Sequence, residues 1–135
     1  MKRYVLDSFA LLAYCENEAG ADKVAEILKK TLRREVETYL CIINFGEMYY
    51  IALRECGEHT AELYRSTIEL YPIYFINADL LLTLEAAKLK AKHKMSYADA
   101  FAVALAKTKK AYLVTGDPEL KVFEKDTKLF WLPRN

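Results

Sequence analysis

The arrangement of short apolar runs along this chain constrains its fold more than any other feature. Five β-prone runs, at 4–6, 38–41, 73–76, 111–114 and 129–132, alternate with segments of helical character. Several of these runs are apolar throughout, which is the pattern of strands buried on both faces. The sequence therefore predicts a three-layer α/β/α fold, in which a mainly parallel sheet of four to five strands has helices on both faces.

The helical segments are predicted from apolar spacing and from residues that begin or stop helices. Residues 19–33 have an amphipathic pattern, and further helices are predicted at 8–16, 43–56, 59–71, 77–92 and 96–109, with a short one after Pro118. Asn77 is predicted to cap the helix over 77–92, with Asp79 as a first-turn charge, and Ser96 to open the next helix. With 135 residues, residues 1–135 are expected to form a single domain.

Four acidic residues fall where the strands of such a sheet lead into its helices. Asp7 ends the first strand and Asp117 ends the fourth. Glu47 lies in the first turns of the helix after the second strand, and Asp99 in the first turn of the helix opened by Ser96. Right-handed crossovers bring the carboxyl ends of parallel strands to one edge, where open sheets bind ligands. The four carboxylates are therefore predicted to converge at that edge.

Helix capping is the alternative explanation for three of these residues. Asp7 and Asp117 are of the type that caps helices, and Asp99 follows Ser96 at the spacing of a capping box. Capping explains Glu47 least well, because its helical neighbours three and four residues away are largely apolar. A lone carboxylate on such a surface is costly unless it is paired or binds a cation.

Convergence of four carboxylates would favour a hard divalent cation at this edge. Neighbouring carboxylates raise one another's pKa unless something neutralises them. Mg²⁺ and Mn²⁺ prefer carboxylate oxygens and water, and they bridge to substrate phosphates. No histidine or cysteine is predicted among the ligands, which argues against zinc. The sequence therefore predicts a Mg²⁺ or Mn²⁺ site.

Four segments, taken in order and spacing, resemble the PIN-domain family. They are YVLDS at 4–8, NFGE at 44–47, YADAFAVALA at 97–106 and LVTGD at 113–117. The resemblance spans essentially the whole chain and is greatest to the VapC-type toxins of prokaryotic toxin–antitoxin pairs. It implies a Mg²⁺- or Mn²⁺-dependent endoribonuclease that hydrolyses RNA phosphodiester bonds, with a small antitoxin protein as its partner.

The same resemblance assigns roles to particular residues. The implied catalytic metal ligands are Asp7, Glu47, Asp99 and Asp117. Glu119 occupies the position of a further acidic residue that some members recruit, and Ser8 and Thr115 resemble hydroxyls that support the site from behind the ligands. Many members carry Ser or Thr shortly before the glutamate, where this chain has Ile43 and Asn44. Asn44 is the candidate substitute for that supporting hydroxyl.

Two alternative functions within the family remain open: a housekeeping RNA-processing nuclease without an antitoxin, and a catalytically inactive PIN fold that acts as a binding module. Other α/β classes fit poorly. A haloacid-type phosphatase requires a second aspartate where this chain has Phe9, and a receiver domain requires an aspartate after the third strand, where Asn77 follows Ile76. Neither a dinucleotide-binding glycine motif nor a Walker loop is present.

Composition limits how the chain could bind RNA and in which cellular compartment it is expected. With 20 basic and 19 acidic residues the formal net charge is +1, so RNA contact would need a local basic patch or a bound metal. Lysine-rich stretches at 90–94 and 107–110 could touch phosphates, although the helix dipole also favours cations at a helix C-terminus. The three cysteines lack metal-ligand spacing, and with no apolar run of membrane-spanning length the expected location is the cytoplasm.

One helix is too apolar to be covered on a single side. Between Ile42 and Leu53 only Asn44 and Glu47 are polar, with Gly46 between them. An amphipathic surface helix would show polar residues along one whole face. The sequence therefore predicts that the chain forms a homodimer or binds a partner helix through this segment.

Overall fold

A computed structural model describes all residues, 1–135. Five strands form one sheet in the order β3-β2-β1-β4-β5, and every neighbouring pair is parallel. They are β1 (Arg3–Leu6), β2 (Glu37–Cys41), β3 (Tyr74–Ile76), β4 (Tyr112–Thr115) and β5 (Leu129–Trp131). The predicted parallel sheet of four to five strands is confirmed.

Six α-helices and one 3₁₀ helix connect the strands. They are α1 (Ser8–Cys15), α2 (Ala21–Leu32), α3 (Ile42–Cys56), α4 (Glu58–Glu69), α5 (Leu80–Lys92), α6 (Tyr97–Lys109) and a 3₁₀ helix at Pro118–Phe123. None of them combines the length and the apolar content that crossing a lipid bilayer requires.

The start of α5 differs from the prediction. Asn77 was expected to cap this helix and Asp79 to lie in its first turn, but Asp79 is the cap, and its Oδ1 accepts a hydrogen bond from the Leu82 amide at 2.9 Å. Asn77 lies in the connection that follows β3. An N-cap side chain must face the amide two or three residues inside the helix, and only Asp79 has that position relative to Leu82.

The sheet has an apolar core on each face. Val5, Cys41 and Leu113 point to a cluster built with α5 and α6. Their neighbours along the strands, which include Leu6 and Leu40, point to a second cluster built with α1 and α2. Because side chains alternate along a strand, burial of both sets explains why the strands are apolar throughout.

The order of the strands places a crevice beside β1. From β1 the chain moves outward to β2 and β3 through α1 to α4, and α5 and α6 then carry it back across to β4. The direction of winding therefore reverses between β1 and β4. In open parallel sheets such a reversal leaves a ligand crevice beyond the carboxyl ends of the two strands, which here lead directly into Asp7 and Asp117.

Helix α3 is partly covered within the chain itself. It packs against α1, α4 and α6, and Asn44, Met48 and Ala52 are buried. Tyr50 and Leu53 remain 51% and 43% exposed. Helix α4 therefore covers part of the apolar surface for which a partner is predicted. The homodimer stays a prediction, and it concerns the part of α3 that remains exposed.

Candidate metal centre

Asp7 lies at the bottom of the crevice. It caps α1 with an extended backbone, and its Oδ1 accepts a hydrogen bond from the Ala10 amide at 2.8 Å. Its own amide donates to the Val114 carbonyl of β4 at 3.4 Å. Only 1% of Asp7 is exposed. A cap at a helix start tolerates solvent, so burial this deep is more than capping requires.

Asp99 enters the crevice from the first turn of α6. Ser96 caps this helix, because its Oγ accepts a hydrogen bond from the Asp99 amide at 3.1 Å. In a complete capping box the acidic side chain would return a bond to the backbone amide of the cap residue. No such bond from the Ser96 amide forms here. The carboxylate of Asp99 therefore does not close a capping box, and a hydrogen bond with the Ser96 side chain lowers its pKa.

Asp117 and Glu119 bring two more carboxylates to the same place. Asp117 caps the 3₁₀ helix after β4, with its Oδ1 accepting from the Glu119 amide at 2.9 Å. Asp99, Asp117 and Glu119 each offer one carboxylate oxygen, and these atoms all lie within 4.8 Å of one another. Glu119, which the resemblance offered only as an additional ligand, thus belongs to the tightest group, whereas Asp7 and Glu47 lie outside it.

Two carboxyl groups in the crevice have strongly perturbed proton affinity. Burial raises the pKa of Asp7 from 3.8 to about 7, and the nearby Asp99 and Asp117 add repulsion, while hydrogen bonds from Thr115 and Ala10 work in the opposite direction. Burial, followed by repulsion from Asp117, raises the pKa of Asp99 to about 7, and Glu47 also contributes. Asp7, Asp99 and Asp117 therefore lie close enough for their charges to repel, and Glu47 lies close enough to act on Asp99.

Thr115 joins two of these carboxylates from behind. Its side chain is fully buried at the end of β4, and its Oγ1 accepts a hydrogen bond from the Asp117 amide at 3.1 Å. The same hydroxyl hydrogen-bonds to Asp7 and thereby opposes the rise in its pKa. One hydroxyl therefore orients the loop that carries Asp117 and the buried carboxylate of Asp7.

Asn44 joins the three helices that carry the other ligands. Its Nδ2 donates to the Ala98 carbonyl at 3.1 Å and to Ser8 Oγ at 3.3 Å, and Ser8 Oγ donates to the Asn44 carbonyl at 3.2 Å. Ser8 follows Asp7, Ala98 precedes Asp99, and Asn44 lies three residues before Glu47 on α3. The amide oxygen Oδ1 is buried and has no hydrogen-bond partner.

A close approach between Gly116 and Phe9 was not predicted from the sequence. A Cβ at position 116 would lie 2.3 Å from Cε1 of the Phe9 ring, far inside van der Waals contact. Any larger residue where the chain turns from β4 to Asp117 would force the Phe9 ring to move. The available signal was the placement of one of only four glycines directly before that aspartate.

The donor set fits a hard divalent cation. Every candidate ligand is a carboxylate, and three of the oxygens lie within 4.8 Å of one another, a separation that ligands of one ion can have. Mg²⁺ and Mn²⁺ favour such oxygen ligands. A cation would offset the repulsion that contributes to the raised pKa values of Asp7 and Asp99. The residues present therefore suit either ion.

Comparison with known proteins gives one family and a consistent fold. The PIN domain family matches residues 4–126, and no curated protein matches the chain by sequence. Among solved structures, VapBC2 from Rickettsia felis bound to a promoter DNA fragment is similar at TM-score 0.74 and 14% identity, covering 97% of this chain and 99% of that one. VapC20 from Mycobacterium tuberculosis, a Sarcin-Ricin loop cleaving toxin, has TM-score 0.72 and 15% identity, and the match covers 92% of this chain and 95% of that one. A toxin–antitoxin complex from Klebsiella pneumoniae has TM-score 0.73, 16% identity, and coverage of 98% and 99%.

Proposed function

The chain belongs to the PIN-domain family, and from this membership and the geometry of the crevice we propose that it is a Mg²⁺- or Mn²⁺-dependent endoribonuclease. One observation carries the proposal: carboxylate oxygens of Asp99, Asp117 and Glu119 meet within 4.8 Å of one another, at the crevice where the buried Asp7 lies. PIN domains are nucleases in general and use divalent metal. The RNA substrate and the identity of the ion belong to the proposal.

The chain's own residues would hold the ion and keep its ligands in place. Bound Mg²⁺ or Mn²⁺ supplies a water of lowered pKa and neutralises charge on the phosphoryl oxygens. The proposed ligands are Asp7, Glu47, Asp99 and Asp117, with Glu119 as a fifth. Hydrogen bonds from the Ala10 amide and the Thr115 hydroxyl orient Asp7. Glu119 is exposed, so this side of the site is the one that opens to an RNA strand.

We further propose that the protein is the toxin of a VapBC-type toxin–antitoxin pair, with a small antitoxin as its partner. The support is that the similar solved structures are toxins or toxin–antitoxin complexes and that this chain matches them over nearly its whole length.

A homodimer is proposed for a different reason. In addition to Tyr50 and Leu53 on α3, two leucines at the start of α5 are exposed, Leu80 by 72% and Leu81 by 76%. Exposed apolar surface of this kind marks protein interfaces.

Cleavage of a labelled RNA by the purified protein tests the nuclease. Activity should disappear in chelator and return with Mg²⁺ or Mn²⁺, because the proposed reaction needs a cation to lower the pKa of the attacking water. An RNA and a DNA of equal sequence, assayed side by side, test the substrate. Cleavage that persists in chelator would refute the metal mechanism.

Asp99→Asn provides the matched variant. The substitution keeps the size of the side chain and the Ser96 cap, whose donor is the backbone amide of residue 99. Activity should be lost while most of the thermal stability remains. Loss of stability instead would mean that Asp99 has a structural role.

Growth of a host that expresses the protein tests the toxin assignment. Expression should arrest growth, Asp7→Ala should relieve the arrest, and co-expression of a small protein encoded directly upstream should relieve it too. Light scattering at micromolar concentration tests the dimer separately. A monomer would count against self-association without bearing on the nuclease.

A further inference from the structure

Exposed lysines connect three neighbouring clefts on the face formed by α5 and α6. The first cleft lies between these two helices, the second at the C-terminal end of α6, and the third at the amino ends of β1 and β4. The first and second clefts share Lys107, and the second and third share Lys110 and Lys128. Lys92 also lines the first cleft. We call Lys92, Lys107, Lys110 and Lys128 the lysine track.

The lysines of the track form no ion pairs, although Glu85 lines the first cleft and Asp126 lines the second. None of its four ammonium groups has a carboxylate within 4.0 Å, whereas the adjacent Lys88 is paired with Glu85 at 3.2 Å. The net charge of +1 is thus an average over an acidic crevice and a basic face. Basic side chains outnumber acidic ones in each of the three clefts, and an excess of positive charge along a groove attracts a polyanion.

The helix dipole does not account for the whole track. It favours Lys92 and Lys107, which lie in the last turns of α5 and α6. Lys128 precedes β5 and lies on no helix. The middle cleft is also lined by Thr127, which is 6% exposed and whose Oγ1 has no hydrogen-bond partner. Because this oxygen is itself inaccessible to solvent, the groups of this cleft that a phosphate could reach are its three lysines.

The track and the metal centre lie towards opposite ends of α6. Helix α6 begins beside the crevice, with Asp99 in its first turn, and ends with the lysines at the other edge of the sheet. Eight residues separate Asp99 from Lys107 on this helix, which is roughly 12 Å at the rise of an α-helix. A stacked nucleic-acid strand covers that distance with about four nucleotides. Because residues 100–106 of α6 are buried, a strand bound on the track would pass over the surface around this helix and would need more than four nucleotides to reach the crevice.

The geometry points to the lysine track as a binding path for the phosphates of single-stranded RNA outside the bond that is cleaved. This inference rests on the proposed ribonuclease function and adds how the substrate is held. It makes recognition along the track independent of base sequence, because lysines contact phosphates and not base edges. It also requires substrates long enough to reach from the crevice to Lys128.

Two triple variants of equal charge test the path. The track variant is Lys107→Gln/Lys110→Gln/Lys128→Gln, and the control is Lys23→Gln/Lys29→Gln/Lys30→Gln on α2, on the opposite face of the sheet. Binding of a fluorescein-labelled 12-nucleotide RNA is measured by anisotropy in chelator, from 50 to 400 mM salt. The track variant should bind about tenfold or more weakly at the lowest salt, and its log–log salt slope should shrink by about 2, since each lost phosphate contact removes about 0.7. The control should keep the wild-type slope.

Cleavage measured with metal present separates the path from the nuclease. The ratio of kcat/KM for the 12-nucleotide RNA to that for a tetranucleotide should fall in the track variant and stay at the wild-type value in the control. Equal loss of binding in both triple variants would show that only bulk charge matters and would overturn the path. So would lower thermal stability of the track variant with unchanged binding. If no RNA is cleaved but the two variants differ in binding as expected, the path stands and the proposed nuclease fails.

Discussion

Replacing Asp7 with asparagine should stabilise the metal-free protein, because it removes a buried charge and keeps the shape of the side chain. Asparagine can still accept the hydrogen bond from the Ala10 amide that caps α1. The pKa of Asp7 rises from 3.8 to about 7, chiefly through burial. At about 1.4 kcal/mol per pKa unit, the ionised carboxylate destabilises the folded state by about 4 kcal/mol. That is the gain expected for Asp7→Asn at pH 8.

The stability that Asp7→Asn adds should increase as the pH rises. The folded-state pKa of Asp7 lies above the unfolded value, so between about pH 4 and pH 7 the folded protein keeps a proton that the unfolded chain releases, and stability falls as the pH rises. Above pH 7 Asp7 is ionised in both the folded and the unfolded state, and the wild type has lost the full amount of stability. The advantage of Asp7→Asn should therefore be close to zero at pH 4, less than about 2 kcal/mol at pH 5 and about 4 kcal/mol at pH 8.

Urea denaturation in chelator, followed by circular dichroism at pH 5 and pH 8, measures this difference. Asp79→Asn is the matched control, because Asp79 caps α5 through the Leu82 amide but is exposed. Its effect should stay within about 0.5 kcal/mol at both pH values. With Mg²⁺ added, wild type should gain stability through ligand binding and Asp7→Asn should not. An Asp7→Asn variant no more stable than wild type at pH 8 in chelator would refute the reasoning.

Three further substitutions probe the groups that support the carboxylates. Asn44→Ala should lower the free energy of unfolding by about 2 kcal/mol, because it removes the buried hydrogen bonds from Nδ2 to the Ala98 carbonyl and to Ser8 Oγ. Calorimetry should also show weaker Mg²⁺ binding; unchanged binding would mean that Asn44 only stabilises the fold. Gly116→Ala should lower the free energy of unfolding by about 1–3 kcal/mol and reduce cleavage, since its Cβ meets the Phe9 ring. Adding Phe9→Ala to that variant should recover part of the stability and part of the cleavage. Losses that simply add in the double variant would contradict the clash. Asp79→Ala should lower the stability by about 1 kcal/mol through loss of the α5 cap, measured by thermal denaturation, with cleavage unchanged.

The local sequence predicted most helices and strands correctly, and it failed where two nearby residues could each cap the same helix. The apolar runs predicted all five strands. For the central strands β1, β2 and β4 the reason is burial on both faces, which favours apolar residues at nearly every position. The edge strands β3 and β5 are apolar although they are only partly buried or exposed. At the start of α5, both Asn77 and Asp79 are good capping residues. The pairing of Ile76 with Cys41 keeps the chain extended up to that point, and Asp79 is then the residue that faces the first turn of the helix. That choice depends on the partner strand and not on the local sequence.

The candidate site divides in the same way. The sequence alone placed Asp7 and Asp117 after strands and Asp99 at a helix start, because parallel strands with right-handed crossovers leave few arrangements. Only the tertiary structure put Glu119 in the closest group of oxygens and left Glu47 at its margin, since these separations depend on how helices dock over distances that no pattern along the chain encodes.

The deepest determinants of the site are contacts between residues far apart in the chain. Asn44 links Ser8 to Ala98, and Phe9 lies against the backbone of Gly116. Residue types and periodicity reveal which groups a chain has and which face of an element each occupies. Whether a buried amide finds its partners, or a ring meets a backbone at contact distance, is decided by packing of the whole fold, because those energies arise only when distant segments are brought within a few ångströms.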